Sequence, residues 1–168
     1  IGQQYSAKDG SVVNMDNGEP LNYTEDIANY ENALQNEGAR LDKYEWSASD
    51  AWERDNDWVL MRYAEVLMME AEANFRLGYS QAALDLVNKV RSRAGLAALS
   101  DLSADQLDQE WLHEFAFEGL RRTVNIRFGT WFNAWWNKDA EADQHTGIYP
   151  IPQEERAKNP NLTQNPGY

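Results

Sequence analysis

Apolar residues recur every three or four positions from residue 60 to residue 94, and this is the strongest pattern in the chain. Leu60, Tyr63, Ala64, Leu67, Ala71 and Phe75 fall on one stripe of a helix of about 3.6 residues per turn. Glu72 precedes Arg76 by four, an orientation that supports an exposed helix face by ~0.2–0.5 kcal/mol. Gly78 stands where a left-handed C-terminal cap belongs, and Ser80 is placed to cap the next helix. In that second helix Ala83, Leu86, Val87, Val90 and Ala94 make the stripe. Lys89, Arg91 and Arg93 gather near its C-terminus, where the helix dipole favours cations, and Gly95 closes it. The small Ala71 and Ala83 let the two axes approach closely.

The pair fits a tetratricopeptide-type unit, although the late proline of that repeat is missing and no second copy is visible. A lone repeat cannot bury its apolar face, so other parts of the chain or partners outside it must cover this one. The expected class is mainly α: a tetratricopeptide-like helical hairpin scaffold with long irregular segments.

A third helix is expected to start at Ser103, which with Gln106 forms a capping-box pattern, and to run to about Phe128. Leu107, Trp111, Phe115, Leu120 and Val124 give its buried side. Gly119 interrupts it at about 1 kcal/mol relative to alanine, which points to close packing with another backbone. Beyond it, Trp131 and Trp135 lie at helical spacing in a cluster with Phe132 and Trp136, which favours core packing with room for one exposed ring. The tail 148–168 carries four of the five prolines. It reads as an irregular strap docked on the body, extended at Tyr149 and Ile151 because each precedes proline. The opening segment 1–58 is irregular or extended, and polar over residues 1–38, with turn signals at Asp9-Gly10 and Asn17-Gly18, the latter a weak hairpin signal. Leu41 to Trp46 reads as a short extended piece. The divisions expected are thus 1–58, a hairpin at 59–95, helix and aromatic cluster at 103–137, and the tail at 148–168.

Composition narrows the function. The chain has 168 residues and a net charge of −13, which argues against nucleic acid and against electrostatic attachment to anionic lipid. It has no cysteine, hence no disulfide, thiolate zinc site or lipid-bearing cysteine within it. No run of about 18 apolar residues is present to span a membrane. The start, IGQQYSAKDG, has neither an initiator Met nor a signal-peptide pattern and reads as the middle of a longer protein.

Candidate chemistry is sparse. Tyr44, Trp46, Trp52 and Trp58 stand among polar residues, the arrangement sugar binding uses: a pyranose face lies on a ring while carboxylates and amides take the hydroxyls. Tyr44, Trp46 and Trp52 are the stacking candidates, with Asp50, Glu53 and Asn56 as hydroxyl partners. The bland alternative packs these rings over the following helix. Glu114 and Glu118, one turn apart, invite a glycoside hydrolase reading. Arg121 and Arg122 favour ion pairing instead, which lowers a carboxyl pKa where acid catalysis needs one raised. Glu110 and His113 form half of a di-iron motif, but His145 has Ala142 three residues before it, so the second half is missing. No metal and no cofactor are expected. Asn14, Asp16 and Asn17 do not complete a calcium loop. Asn22-Tyr23-Thr24 and Asn161-Leu162-Thr163 are glycosylation tripeptides by pattern alone.

Several stretches together carry a resemblance: RYAEVLMMEAEA at 62–73, ALDLVNKVRSRAGL at 83–96, EFAFEGLRRTVNIRFGTW at 114–131 and YPIPQEERAKNPNLTQNPGY at 149–168. In this order they resemble the C-terminal portion of the SusD/RagB family, over roughly residues 39 to 168. The resemblance implies a helical scaffold of tetratricopeptide-like pairs, a SusD-like α/α superhelix. It also implies non-catalytic oligosaccharide or polysaccharide binding for nutrient uptake at the cell surface. Members are outer-membrane lipoproteins that act as the lid of a SusC-like TonB-dependent transporter, held to the membrane by an N-terminal lipid anchor that this chain does not contain. Glu110-Trp111 replaces the family's usual Glu-Arg, and Asn125-Ile126 its Asp-Leu, so a thinner salt-bridge network is expected. No ligand residue transfers from the family motifs, so the six site candidates rest on composition. The alternative function is a tetratricopeptide-type protein-interaction module, followed by a glycoside hydrolase.

Overall fold

The computed structural model describes residues 1–41, 43, 44 and 57–168. Two compact units divide the chain, Ile1–Trp58 and Val59–Tyr168.

In the first unit the chain folds back on itself through short antiparallel contacts. Strand β1 (Gly2–Gln3) pairs with β2 (Asn22–Tyr23), Tyr5 bridges Val12, and Asn14 bridges Pro20. Asn17-Gly18 does form the inner turn: Gly18 takes φ +87°, and its N–H donates to the Met15 carbonyl at 2.9 Å. Asn17 Oδ1 accepts from the Glu19 N–H, so that oxygen serves the turn. Among the described residues of this unit, Leu21 is the buried large apolar side chain, and regular structure is short because little apolar surface collects here.

The second unit is helical. Helices α1 (Tyr63–Arg76) and α2 (Ser80–Arg93) form the expected hairpin. Gly78, at φ +84°, closes α1 with its N–H on the Phe75 carbonyl, while the Tyr79 N–H reaches Asn74. Ala71 and Ala83 are fully buried, as close helix packing requires. Ser80 does not cap α2: it is the first helical residue, and Tyr79 at the cap position makes no side-chain bond. The buried face of α1 is Ala64, Leu67, Met68 and Ala71, turned from the expected stripe. Leu60 precedes the helix and is 89% exposed, and Tyr63 is 70% exposed. Met68 occupies the centre instead, and Glu72, expected on an open face, is buried.

The capping box at Ser103 and Gln106 is present in full and opens α3 (Ala104–Phe115). The single long helix expected here is two: α3 ends at Phe115, and α4 (Arg121–Phe128) follows a break. Phe117 at φ +64° and Gly119 at φ +79° turn the chain. No heavy atom lies within 4 Å of where a Cβ on Gly119 would sit. Glycine is needed there for its left-handed backbone and not for a close approach. Leu107, Trp111, Phe115 and Val124 nevertheless meet in one core with Met68, Ala71, Val87 and Val90, because the break redirects the helix without turning away its apolar side. Asn88 clips the α2–α3 loop by bonding both the N–H and the carbonyl of Leu99, at 2.8 and 3.0 Å.

After Gly129 the chain forms turns, so Trp131 and Trp135 are not helical neighbours. The Ile151 N–H and carbonyl bond the Gln164 side chain at 2.8 and 3.0 Å. Asn165 does the same for the Tyr149 carbonyl. The tail is not wholly irregular: Gln153–Lys158 forms α5, with Glu154 and Glu155 in its first turn and Arg156 and Lys158 in its last.

Candidate functional site

Buried carboxylates stitch the helical unit together. Arg62, at the start of α1, donates Nε and Nη2 to Glu118 at 2.7–3.1 Å, Nη1 to Glu114 and Nη2 to the Glu114 carbonyl at 2.7 Å. Arg93 takes Glu114 from the other side at 2.7 and 2.9 Å. Arg121 forks onto Asp108, and Arg91 bonds Glu110. Glu72 receives Arg76 from one turn along and Arg127 from α4. Burial pushes the Glu72 carboxyl up, but hydrogen bonds and charge from Arg127 and Arg76 outweigh it and hold its pKa below the ordinary value. The Arg62 guanidinium is held protonated by Glu118 and Glu114 despite its burial.

These pairs correct two expectations. Glu114 and Glu118 are ion-paired, but to Arg62 and Arg93. The left-handed break at Phe117–Gly119 removes the helical register that would have set Glu118 beside Arg121 and Arg122. The network is also dense. Trp111 enters the core at 3% exposure, and Arg127 covers its ring at 5.1 Å while reaching Glu72. A groove of about 460 Å³ lies beside this cluster, lined by Met69, Glu72, Arg76, Trp111, Leu120 and Arg127. Trp111 Nε1 has no hydrogen-bond partner among the described residues.

Of the sequence-derived candidates, Tyr44 lies within the described residues, whereas Trp46, Asp50, Trp52, Glu53 and Asn56 lie outside them. Tyr44 stacks on Trp58 with ring centroids 5.0 Å apart and planes 16° from parallel. Trp58 remains 64% exposed, so the pair offers an aromatic surface to water. Trp58, which lies outside the six sequence candidates, is thus Tyr44's partner.

A second group of rings occupies 129–149. Arg122, from α4, lies 4.0 Å from the Tyr149 ring centroid and 5.4 Å from that of Trp131, and donates to the Thr146 carbonyl at 2.7 Å. Trp131 Nε1 donates to Thr146 Oγ1, which in turn donates to Glu141. Trp131 and Phe132 are thereby half-buried, whereas Trp135 and Trp136 face solvent, against the expectation of core packing. Among the described residues no group of His, Asp and Glu has the arrangement of a metal site, and no helix is long and apolar enough to cross a membrane.

The model of the SusD family matches residues 2–168. The chain belongs to the SusD family. Its SusD fold is further evident in solved relatives. It superposes on a SusD-like protein from Bacteroides fragilis with a TM-score of 0.56 at 26% identity, over 66% of this chain and 26% of that one. For the surface glycan-binding protein A from Bacteroides uniformis the TM-score is 0.53 at 28% identity, over 66% of this chain and 28% of that one. The starch-binding protein SusD from Bacteroides thetaiotaomicron is 36% identical over 123 residues, 68% of this chain and 22% of that protein. This SusD-family chain thus spans about a quarter of the length of such relatives or less.

Proposed function

We propose that the chain is part of a non-catalytic glycan-binding protein that serves nutrient uptake at the outer membrane. The observation that carries the reading is the 36% identity, over 68% of this chain, to a relative named for starch binding. The site geometry agrees with it. Stacked Tyr44 and Trp58 supply an aromatic surface; Trp46 and Trp52 as further rings, and Asp50, Glu53 and Asn56 as hydroxyl partners, are proposed from the sequence alone. The carboxylates a hydrolase would recruit, Glu114 and Glu118, are both engaged by Arg62, which favours a structural role. In the full protein this piece belongs to the lid of a SusC-like TonB-dependent transporter, and lipid anchorage comes from outside this chain.

The test is titration of the chain with soluble starch, mixed-linkage β-glucan, xylan and galactomannan, followed by tryptophan fluorescence and calorimetry. Saturable binding of one glycan without release of reducing ends is expected. Tyr44→Ala, Trp46→Ala, Trp52→Ala and Trp58→Ala should each weaken it several-fold. Turnover of any of these glycans would refute the non-catalytic reading.

A further inference from the structure

The arginines of the helical body are spent on carboxylates, with one exception. Arg62, Arg76, Arg91, Arg93, Arg121 and Arg127 each hold an Asp or Glu. Arg122 pairs with no carboxylate among the described residues. Its Nη2 donates to the Thr146 carbonyl at 2.7 Å, and its guanidinium lies 4.0 Å from the Tyr149 ring centroid and 5.4 Å from that of Trp131. Its Nε and Nη1 meet no acceptor among the described residues. Arg122 is half-buried, yet neither atom is sealed from solvent. A cation held in place without a counter-ion is unexpected in a chain of net charge −13.

The groups around it are fixed before any ligand arrives. Asn165 Nδ2 donates to the Tyr149 carbonyl at 2.7 Å. Trp131 Nε1 donates to Thr146 Oγ1 at 3.0 Å, and that hydroxyl donates to Glu141. The charge of Glu141 is offset by Lys138 at 3.1 Å. A guanidinium stacked on rings and tied to a carbonyl loses little freedom on binding, which lowers the ordering cost. Its remaining N–H groups suit a carboxylate, because such charge-assisted bonds are roughly twice as strong as neutral ones. Tyr149 is 69% exposed and gives a pyranose an aromatic surface beside the charge. The net charge of the chain does not oppose this contact. Salt at 0.1 M screens exposed charges beyond about 10 Å, whereas the guanidinium would touch its ligand.

We propose that Arg122 and Tyr149 form a site for an acidic glycan. A uronic acid residue places its carboxylate on the Nε and Nη1 side of Arg122 and its ring against Tyr149. The site deepens the glycan-binding reading and rests on it. It belongs to the second unit and shares no residue with Tyr44 and Trp58.

The experiment titrates the whole chain, by calorimetry, with oligogalacturonides and with the same oligomers as methyl esters, which differ in charge alone. The neutral glycans named above are run beside them, and dextran sulfate serves as a polyanion without a carboxylate. The acid should bind about tenfold more tightly than the ester. R122Q should abolish that preference, R122K should keep part of it, and Y149A should weaken binding of both forms. R156Q, which removes an exposed arginine on α5, should change nothing. Thermal melts are recorded for each variant. In the unmutated chain the Arg122 Nε–H resonance should shift with the acid and not with the ester, a readout independent of how the variants fold. If a neutral glycan binds while acid and ester do not differ and the resonance is unmoved, this site is refuted and the glycan reading survives. A resonance moved equally by dextran sulfate would refute a carboxylate-sugar site in favour of a general anion site. If no glycan binds, both readings fall together.

Discussion

The helical body, residues 60–128, and the segment that follows it, 129–168, are held by different forces. The body is built on apolar burial around Met68, Leu107, Val87 and Val124, with arginines reaching between helices to carboxylates that have left water. The later segment is fastened by side chains that bond backbone groups directly: Arg122 on Thr146, Lys138 on three carbonyls, Gln164 on Ile151 and Tyr168 on Ile148. The first arrangement makes a scaffold that removal of one partner damages severely. The second leaves Trp135 and Trp136 exposed while other side chains do the fastening.

The comparison breaks most sharply at Arg62. Arg62→Ala withdraws a guanidinium from buried Glu118 and from Glu114, which keeps Arg93, and should cost about 3–5 kcal/mol in urea unfolding. Met68→Ala, which opens a cavity in the fully buried centre, should cost about 2–4 kcal/mol. A loss below 1 kcal/mol in both would mean that the body is not organised by this core.

Acid sharpens the contrast. The folded pKa of Glu72 lies below its ordinary value of 4.5. Its contribution is therefore fully present above pH ~4.5 and is lost as the pH falls through the lower folded value. Glu72→Gln should flatten the dependence of stability on pH in that acidic window, measured by melts between about pH 3 and 6, and leave the slope above it unchanged.

The later segment should respond less. A Cβ on Gly167, whose φ is +91°, would fall 2.4 Å from His145 Cβ. Gly167→Ala should loosen the tail at a cost of about 1–3 kcal/mol, seen as faster amide exchange at Ile148 and Ile151 with the body's exchange unchanged. The smallest effect belongs to Met69, which is exposed on the outer side of α1. Met69→Ser should shift stability by less than about 0.5 kcal/mol.

How far the sequence could be read follows the same division. The hairpin, its glycine cap and the capping box at Ser103 were legible because each depends on neighbours within one or two turns. The face of α1 was not: Tyr63, Val66, Met69 and Leu77 lie outside while Leu67, Met68 and Ala71 lie inside, and apolar spacing alone cannot choose between two apolar sides. The break after Phe115 was hidden because the residues on either side keep the apolar phase of one helix. Glu72 looked exposed because its second arginine, Arg127, stands 55 positions away in sequence. Around the candidate site, Tyr44 was chosen on composition and its partnership with Trp58 followed only from the fold. The spacing of Trp131 and Trp135 suits a helix and so favours core packing, and the Asn137 turn, beside which Trp135 and Trp136 are exposed, leaves little trace in a pattern of apolar positions.

The grip of Arg62 on both Glu114 and Glu118 has a consequence for cleavage of the chain. Phe117 stands between these glutamates, exposed and in a left-handed turn, where chymotrypsin can reach it. A cut after Phe117 separates the covalent chain into two pieces, but one guanidinium still holds a carboxylate of each. The nicked protein would migrate as two bands in detergent and as one particle in buffer.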